Sequence, residues 1–376
     1  APPLLGFTPL QAIYKALVLL VIACPCALVI ATPVTVVSGL ATAARRGIII
    51  KGGLYIEEAR KIKVLALDKT GTITLGQPKL VAFSSQQEAS DVGILKQLAS
   101  SLAERSDHPV SRAIAAGLDG ERLAVEGFEA LPGRGVRGVI AGRPLMLANH
   151  RWIEELGLCS SALEASMQVH ERQGRSLSLL ADQSGVLALI AVADTVRPSS
   201  AAAMEALRAL GVTPVMLTGD NLHAAETIGR QAGVDHVEAD VRPEDKANRV
   251  KALQAAGKTV GMVGDGINDA PALAKADVGI AMGTGTDVAM NSAQVTLVKG
   301  DLRGIAVART LSQDTVRNMK QNLMFAFLYN ALGIPVAAGV LYPLTGWLLS
   351  PLIAALAMSF SSASVIGNAL RLRRGE

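Results

Sequence analysis

Apolar positions in this chain fall into two patterns. Near both ends they run almost unbroken. Gln11 to Ala44, Asn318 to Leu341 and Trp347 to Leu370 are each long enough to span a bilayer, which takes about 20 residues. Pro25 and Pro33 interrupt the first stretch, and Tyr342-Pro343 marks a short turn between the other two. Between the ends, short apolar runs of strand length alternate with helix-like stretches, as in an α/β fold. The runs are Val64 to Leu67, Val212 to Leu217, Lys258 to Val263 and Ala276 to Met282, and His223 to Gln231 reads as a helix. A polar or Gly-rich segment follows each run: Asp68 to Thr74, Thr218-Gly219-Asp220, Gly264-Asp265-Gly266, and Gly283 to Thr286. Polar residues gathered at the strand ends of one open parallel sheet make a ligand site. The region from Pro78 to Ala191 lies between the Asp68 strand and its companions and reads as an inserted domain. No internal repeat or low-complexity tract is evident.

Composition sharpens the picture at the ends. Half of the 376 residues are hydrophobic and 18% are charged, and the apolar excess concentrates in the three long stretches. The length suits two to three domains. Basic residues flank the apolar stretches: Arg45, Arg46 and Lys51 after the first, Arg371, Arg373 and Arg374 after the last. That bias places the middle of the chain and the C-terminus in the cytosol. The net charge of +4 does not point to nucleic acid, because aromatics are 3% and no basic cluster interleaves with them. Three spans with both later parts cytosolic require the first to begin outside. Ala1 starts without a signal peptide, so preceding segments are expected. Three cysteines do not make a disulfide framework. Two of them lie in an apolar stretch, where redox stapling is not expected, and Cys159 reads as a structural thiol without a nearby partner.

Asp68 carries the most chemistry. A carboxylate at a strand end is placed to attack a phosphoryl group and hold it as an acyl phosphate, or to cap a turn. Phosphoryl transfer also needs oxygen donors, a cation and carboxylates for Mg²⁺. Thr218 and the amides around Gly219 are candidate donors. Lys246, in Arg242-Pro243-Glu244-Asp245-Lys246, supplies positive charge. Asp265 and Asp269, in Gly264-Asp265-Gly266-Ile267-Asn268-Asp269-Ala270-Pro271, complete a Mg²⁺ site with Asp68 and a carbonyl near Thr70. Mg²⁺ takes few carboxylates and keeps several waters, which suits this count.

Asp68-Lys69-Thr70-Gly71-Thr72-Ile73-Thr74, Thr218-Gly219-Asp220 and the Gly264 to Pro271 segment resemble the signature motifs of P-type ATPases. Their phosphorylation domain belongs to the haloacid dehalogenase superfamily. Cys24-Pro25-Cys26 resembles the ion-site motif of the heavy-metal subfamily. The resemblance covers nearly the whole chain. It implies an α/β, Rossmann-like phosphorylation domain with an inserted α/β nucleotide-binding domain, plus membrane helices. It implies that Asp68 is phosphorylated by ATP, with Lys69, Thr70, Thr218, Gly219, Asp220, Lys246 and Asn268 as its catalytic surroundings. The implied boundaries are 1–57 for a membrane segment and stalk, 58–77 with 192–315 for phosphorylation, 78–191 for nucleotide binding, and 316–376 for two membrane helices and a tail. In the insert, Ser106-Asp107-His108-Pro109 resembles the His-Pro motif that contacts the adenine end of ATP. Gly133-Arg134-Gly135-Val136-Arg137-Gly138 resembles the glycine motif, where backbone approaches nucleotide. On residues alone the first reads as a loop and the second as a hairpin, since it lies between strand-like runs rather than opening a helix.

The membrane segments address the ion. Cys24 and Cys26 are two apart and would not share a face of an ideal helix. Pro25 disturbs the helix between them, and local unwinding would let both sulfurs meet one ion. Soft thiolates favour Cu(I), Zn²⁺ and similar ions. None of the three apolar stretches contains Asp or Glu, and a divalent ion at membrane depth calls for charge compensation. Tyr329, Asn330, Met358 and Ser362 match the copper-type pattern of a Tyr-Asn pair and Met-x-x-Ser-Ser. The flank Ala27 to Pro33 looks more like the zinc and cadmium branch, which leaves Zn²⁺ or Cd²⁺ as the alternative to Cu(I). Resemblance implies export, and a plasma membrane location in a bacterium. Membrane lipid and a cytosolic metal chaperone are the partners it suggests. No Thr-Gly-Glu, the actuator-domain motif, occurs in the sequence, so the chain is expected to accept phosphate but to turn over slowly without an N-terminal actuator and membrane part. Two other classes stay open: a membrane-tethered phosphatase of the haloacid dehalogenase type, indifferent to Cys24→Ala, and a non-enzymatic metal-binding remnant, indifferent to Asp68→Asn.

Overall fold

The computed structural model describes residues 8–24, 26–86, 91–346 and 349–373, with backbone alone for Gln11, Ala12, Pro343 and Thr345. Pro25, Trp347 and Arg374 lie outside the described residues. The chain divides into two compact units, Ala1–Lys61 with Val307–Glu376, and Ile62–Ala306.

The first unit is helical. The first apolar stretch, read from sequence as one span interrupted at Pro25 and Pro33, comprises two helices, Pro9–Ala23 and Cys26–Arg45. The interruption coincides with a proline position, where the backbone lacks a donor for the helical ladder. Pro33, by contrast, is accommodated inside the second helix. The stretch expected to begin at Asn318 belongs to one helix, Arg303–Ala337. Its first half carries Arg309, Asp314, Arg317 and Lys320, so the apolar part of this helix lies in its second half. Helix Pro351–Arg371 completes the unit, N-capped by Ser350, whose Oγ accepts the Ile353 amide. Among the described residues, Ile13–Arg45 and Pro351–Arg371 are long and apolar enough to cross a membrane.

Small residues let these helices approach closely. Ala27, Ala31, Ala326 and Val365 form one buried cluster. A Cβ on Gly39 would stand 2.7 Å from Thr315 Oγ1 and 2.8 Å from Ile56 Cδ1. A buried amide network ties three helices together. Asn322 Nδ2 donates to Thr35 Oγ1 at 2.8 Å, Asn368 Nδ2 to Asn322 Oδ1 at 2.9 Å, and Asn318 Nδ2 to the Asn368 carbonyl at 2.8 Å.

The second unit holds two sheets. In one, six parallel strands run in the spatial order Val295–Leu297, Val278–Met282, Val260–Gly264, Val64–Asp68, Thr213–Leu217 and His236–Glu238. The Asp68 strand sits centrally and all five of its residues are buried, as a strand covered on both faces requires. Ala66, Leu217, Val250, Met262, Leu273 and Ala281 form the core beside it. The other sheet is antiparallel, in the order Lys79–Ser85, Gly185–Ala193, Ser176–Asp182, Arg143–Ala148, Gly135–Ile140, Glu126–Leu131. Helices Val92–Glu104 and Pro109–Gly117 pack on one face around Leu98, Leu102, Ile114, Leu147 and Ile190. Trp152, Ile153, Met167 and Leu189 form the core of the opposite face. Its strands all fall between Lys79 and Ala193, inside the parallel sheet's connectivity.

Candidate active site

Asp68 ends its strand in extended conformation, and the chain then turns tightly through Lys69–Ile73. Gly71 adopts φ 70°, and a Cβ there would collide with the Asp265 carboxylate. Glycine is therefore what lets this turn lie against Asp265. The turn is clamped from a distant segment. The Arg197 guanidinium donates to the carbonyls of Thr72 at 3.1 Å, Thr74 at 2.9 Å and Gly71 at 2.7 Å. Ser200 Oγ donates to the Ile73 carbonyl at 2.9 Å. The Asp194 carboxylate accepts the Thr74 hydroxyl at 2.5 Å and the Gly76 amide at 3.1 Å. Sequence reading missed Arg197, Asp194 and Ser200, which lie more than 115 residues along the chain from the turn they hold.

Lys246 enters from helix Pro243–Ala255. Its Nζ donates to Asp68 Oδ1 at 2.5 Å and to Asp269 Oδ1 at 2.7 Å. Asp269 Oδ2 accepts the amides of Asp265 and Gly266, both at 3.3 Å. Both Asp269 oxygens are thus engaged, which makes it an orienting group for Lys246. Carboxylate oxygens of Asp68, Asp265 and Asp269 lie within 4.8 Å of one another. Asp265 is the half-buried member and makes no side-chain ion pair among the described contacts. Three carboxylates against one ammonium leave net negative charge, and hard oxygen donors of this kind fit Mg²⁺.

Lys69 pairs with Asp220, which the Thr218 loop presents. Thr218 is buried, and its Oγ1 accepts the Asp220 amide at 3.2 Å. A Cβ on Gly219 would meet the Val241 carbonyl at 3.5 Å, and Asn268 is exposed on the turn Ile267–Asp269. Thr70 is half-buried on the Asp68 turn. In the insert, His108 N-caps helix Pro109–Gly117 through Nδ1, which accepts the Val110 amide at 3.3 Å. Desolvation, then the Lys69 charge, lowers its pKa below the ordinary histidine value, against the opposing pull of Asp220. Gly133 and Gly135 form the hairpin between Glu126–Leu131 and Gly135–Ile140, and the Gly133 carbonyl accepts from Asn149 Nδ2 at 2.8 Å. A Cβ on Gly135 would strike the Leu147 carbonyl.

Burial, then the Asp269 charge, raises the Asp68 pKa to about 6 against the pull of Lys246. Burial, then Asp68 and Asp269, raises Asp265 to about 7. Burial disfavours the Lys246 ammonium, but Asp68 and Asp269 outweigh it and hold its pKa above the ordinary lysine value. A carboxyl with a raised folded pKa binds its proton more tightly folded than unfolded. Its stabilisation is complete below about pH 3.8 and is lost as pH rises through the folded value. Without divalent ions, the melting temperature of the Ile62–Ala306 unit should therefore fall between about pH 4 and pH 7 as these two groups lose their protons. Millimolar Mg²⁺ should recover it at pH 8 by relieving the carboxylate repulsion. Differential scanning calorimetry across pH, with Mg²⁺ or EDTA, checks this. A melting temperature indifferent to Mg²⁺ at pH 8 would contradict it.

In the helical unit, Cys24 and Cys26 are brought together as a disulfide. The sequence reading expected no such bridge. Their Cα atoms are 5.5 Å apart across the helix break, a spacing that permits bonding. Only the reduced thiolates would ligate metal. Of the residues flanking the pair, Ile22 clusters with the candidate ligand Met358, and Ala27 with Ala326 and Val365. Tyr329 Oη lies 3.5 Å from Ser364 Oγ. Asn330 Oδ1 is buried without a hydrogen-bond partner, and so is Ser361 Oγ. Ser362, the serine chosen from sequence, is half-buried, while Ser361 is fully buried. The Met-x-x-Ser-Ser spacing offered both serines, and packing distinguishes them.

A family model described as haloacid dehalogenase-like hydrolase matches residues 62–277, more than half of the chain. This chain belongs to that family. Within this hydrolase family its relatives are P-type ATPases. A copper-transporting P-type ATPase of Rhizobium leguminosarum bv. viciae is 48% identical over 362 residues, covering 95% of this chain and 43% of its own length. A silver exporting P-type ATPase of Salmonella typhimurium is 44% identical over 361 residues, covering 95% and 44%. The crystal structure of a zinc-transporting PIB-type ATPase in the E2.Pi state is similar with a TM-score of 0.71 and 36% identity, over 99% of this chain and 60% of that one. The chain thus spans less than half the length of these two curated relatives.

Proposed function

We propose that this chain carries the phosphorylation, nucleotide and ion sites of an ATP-driven exporter of a soft monovalent metal, Cu(I) first, embedded in a bacterial plasma membrane with its α/β unit in the cytosol. The observation that carries the reading is Asp68, held at a central strand end by buried Lys246 beside Asp265 and Asp269. An Asp68 oxygen attacks the γ-phosphorus of ATP, the bond to the β–γ bridging oxygen breaks, and ADP leaves with that electron pair. Lys246 keeps Asp68 ionised and oriented, and Thr218 with the Gly219 amide receives phosphoryl oxygens. Asp68, Asp265 and the Thr70 carbonyl are the groups that would hold Mg²⁺, which when bound supplies positive charge for the transferred oxygens. Asp269, expected from sequence as a further ligand, has both oxygens engaged and serves instead to orient Lys246. His108, Gly133 and Gly135 form the nucleotide side.

Several features support Cu(I). The helices carrying Tyr329, Asn330, Met358 and Ser362 have no Asp or Glu beyond Asp314, so little is present to compensate a divalent charge. Sulfur donors favour soft ions, and two relatives bear the names of copper and silver pumps. The zinc-transporting neighbour keeps Zn²⁺ as the second reading. The test is formation of acid-stable phosphoprotein from labelled ATP by the reduced chain in nanodiscs, titrated separately with Cu(I), Ag(I) and Zn²⁺. Stimulation several-fold by Cu(I) and Ag(I), lost in Cys24→Ser/Cys26→Ser, is expected. Stimulation by Zn²⁺ alone would overturn the copper assignment.

A further inference from the structure

Outside the phosphorylation site, the insert gathers a second set of metal-ligating side chains. Asn149 N-caps the short helix His150–Glu155, which places His150 at its start. Cys159 follows in the connecting loop, and Ser160 caps helix Ser161–Glu171, whose first turn carries Glu164. Cys159 is therefore not the isolated thiol that sequence suggested. His150 Nε2 lies 3.7 Å from its Sγ, and Glu164 Oε1 lies 3.8 Å from the same Sγ. One donor atom from each of the three residues lies within 4.8 Å of the other two.

From these contacts we infer that His150, Cys159 and Glu164 form a binding site for a borderline divalent cation of the Zn²⁺ type on the nucleotide-binding insert. The donor set of one sulfur, one imidazole nitrogen and one carboxylate oxygen is that of tetrahedral zinc chemistry. With Zn–S of about 2.3 Å and Zn–N or Zn–O of about 2.0–2.1 Å, tetrahedral geometry separates sulfur from either partner by about 3.6 Å. The two observed separations already approach this value. Thiolate and carboxylate together neutralise a divalent charge. His150 and Cys159 are half-buried and Glu164 is exposed, so a fourth position stays open to water and the ion can exchange.

A fourth residue completes the arrangement. Glu171 Oε1 lies 3.6 Å from His150 Nδ1, the nitrogen facing away from Cys159. A carboxylate behind the ligating imidazole fixes its tautomer and raises its basicity. Glu171 is itself buried and accepts from Asn221 Nδ2 at 2.5 Å. Asn221 follows Asp220, the partner of Lys69, and caps helix Leu222–Ala232. The neighbour on the other side, Asn149, holds the Gly133 carbonyl. The site therefore sits on residues that also brace the Thr218–Asp220 loop and the glycine hairpin.

The test uses the full chain in nanodiscs with Cys24→Ser/Cys26→Ser, which silences the membrane thiols, and Co²⁺ as the probe. One Co²⁺ per chain should bind with a near-ultraviolet sulfur-to-cobalt charge-transfer band and tetrahedral visible bands, and Zn²⁺ should displace it. Cys159→Ser should abolish the charge-transfer band. Glu164→Gln, at an exposed position, should weaken binding at least about tenfold without altering the melting curve. Glu171→Gln should keep the band and weaken Zn²⁺ binding about 10–100-fold, the mark of a positioning residue. No charge-transfer band in the Cys24→Ser/Cys26→Ser chain, a band that persists in Cys159→Ser, or unchanged affinity in Glu164→Gln would each overturn the site.

Discussion

Asp68→Asn should cut acid-stable labelling by ATP at least about a thousandfold, to background, while the melting temperature holds or rises. The amide matches the carboxylate in size and hydrogen-bonding reach, so the central strand and the turn after it keep their packing. What disappears is the nucleophile, and loss of a nucleophile typically costs several orders of magnitude because no neighbour substitutes for it. Stability moves the other way for a separate reason. Asp68 is buried among carboxylates, and that surrounding raises its pKa to about 6. Around neutral pH the folded site therefore holds a charge it disfavours, and Asn removes that cost while retaining a partner for Lys246. Labelling by ATP and thermal denaturation on one preparation separate the two effects. Labelling that survives in Asp68→Asn would move the acceptor elsewhere. A melting temperature several degrees lower would mean that the Lys246 ion pair outweighs burial and repulsion.

Different parts of the site were legible to different degrees. Asp68, Thr218 and Asp265 could be read because each stands at the end of an apolar run, so the strand reports the position of the group at its end, whereas Asp269 was readable only together with Asp265 in the Gly264 to Pro271 segment. Lys246 was readable only through its place in an ordered set, since a lysine after Pro-Glu-Asp ordinarily lies in solvent. Arg197, Asp194 and Ser200 left no trace in spacing, because they bind carbonyls and amides of the turn and any segment could have supplied them. The pairing of Lys69 with Asp220 was likewise invisible, since neither position implies the other. Hydropathy marks spans rather than helices: Arg303–Ala337 is one helix across a polar half and an apolar half. The break before Cys26 splits a stretch of uniform hydropathy and was readable only from Pro25. Cys159 was misjudged because its partner His150 is nine residues away on a different element, a separation that no helix or strand period connects.

Lys246→Met should be the most destabilising single change at the site, by about 3–5 kcal/mol near neutral pH, since it leaves buried carboxylates without their cation. Methionine fills similar volume, so the loss reports charge rather than a cavity. Asp68 and Asp269 then face each other with no ammonium between them, and Asp68, already raised to about 6 in the parent, should take up its proton more readily still. The defect should accordingly shrink as pH falls: a large drop in melting temperature at pH 7.5 and a much smaller one at pH 5, where protonation removes the unpaired charge. Adding Asp68→Asn to Lys246→Met should recover part of the stability at pH 7.5, because one of the two stranded charges is gone and the substitutions share a contact. Labelling by ATP should fall about a hundredfold or more in Lys246→Met, since the ammonium both orients Asp68 and faces the transferred phosphoryl group. The double variant should stay inactive despite its recovered fold, which separates catalytic loss from unfolding. A Lys246→Met protein with the parent melting temperature at pH 7.5 would show that the ion pair at 2.5 Å from Asp68 contributes little, and that the site is held by the Arg197 clamp and the Asp269 amide bonds instead.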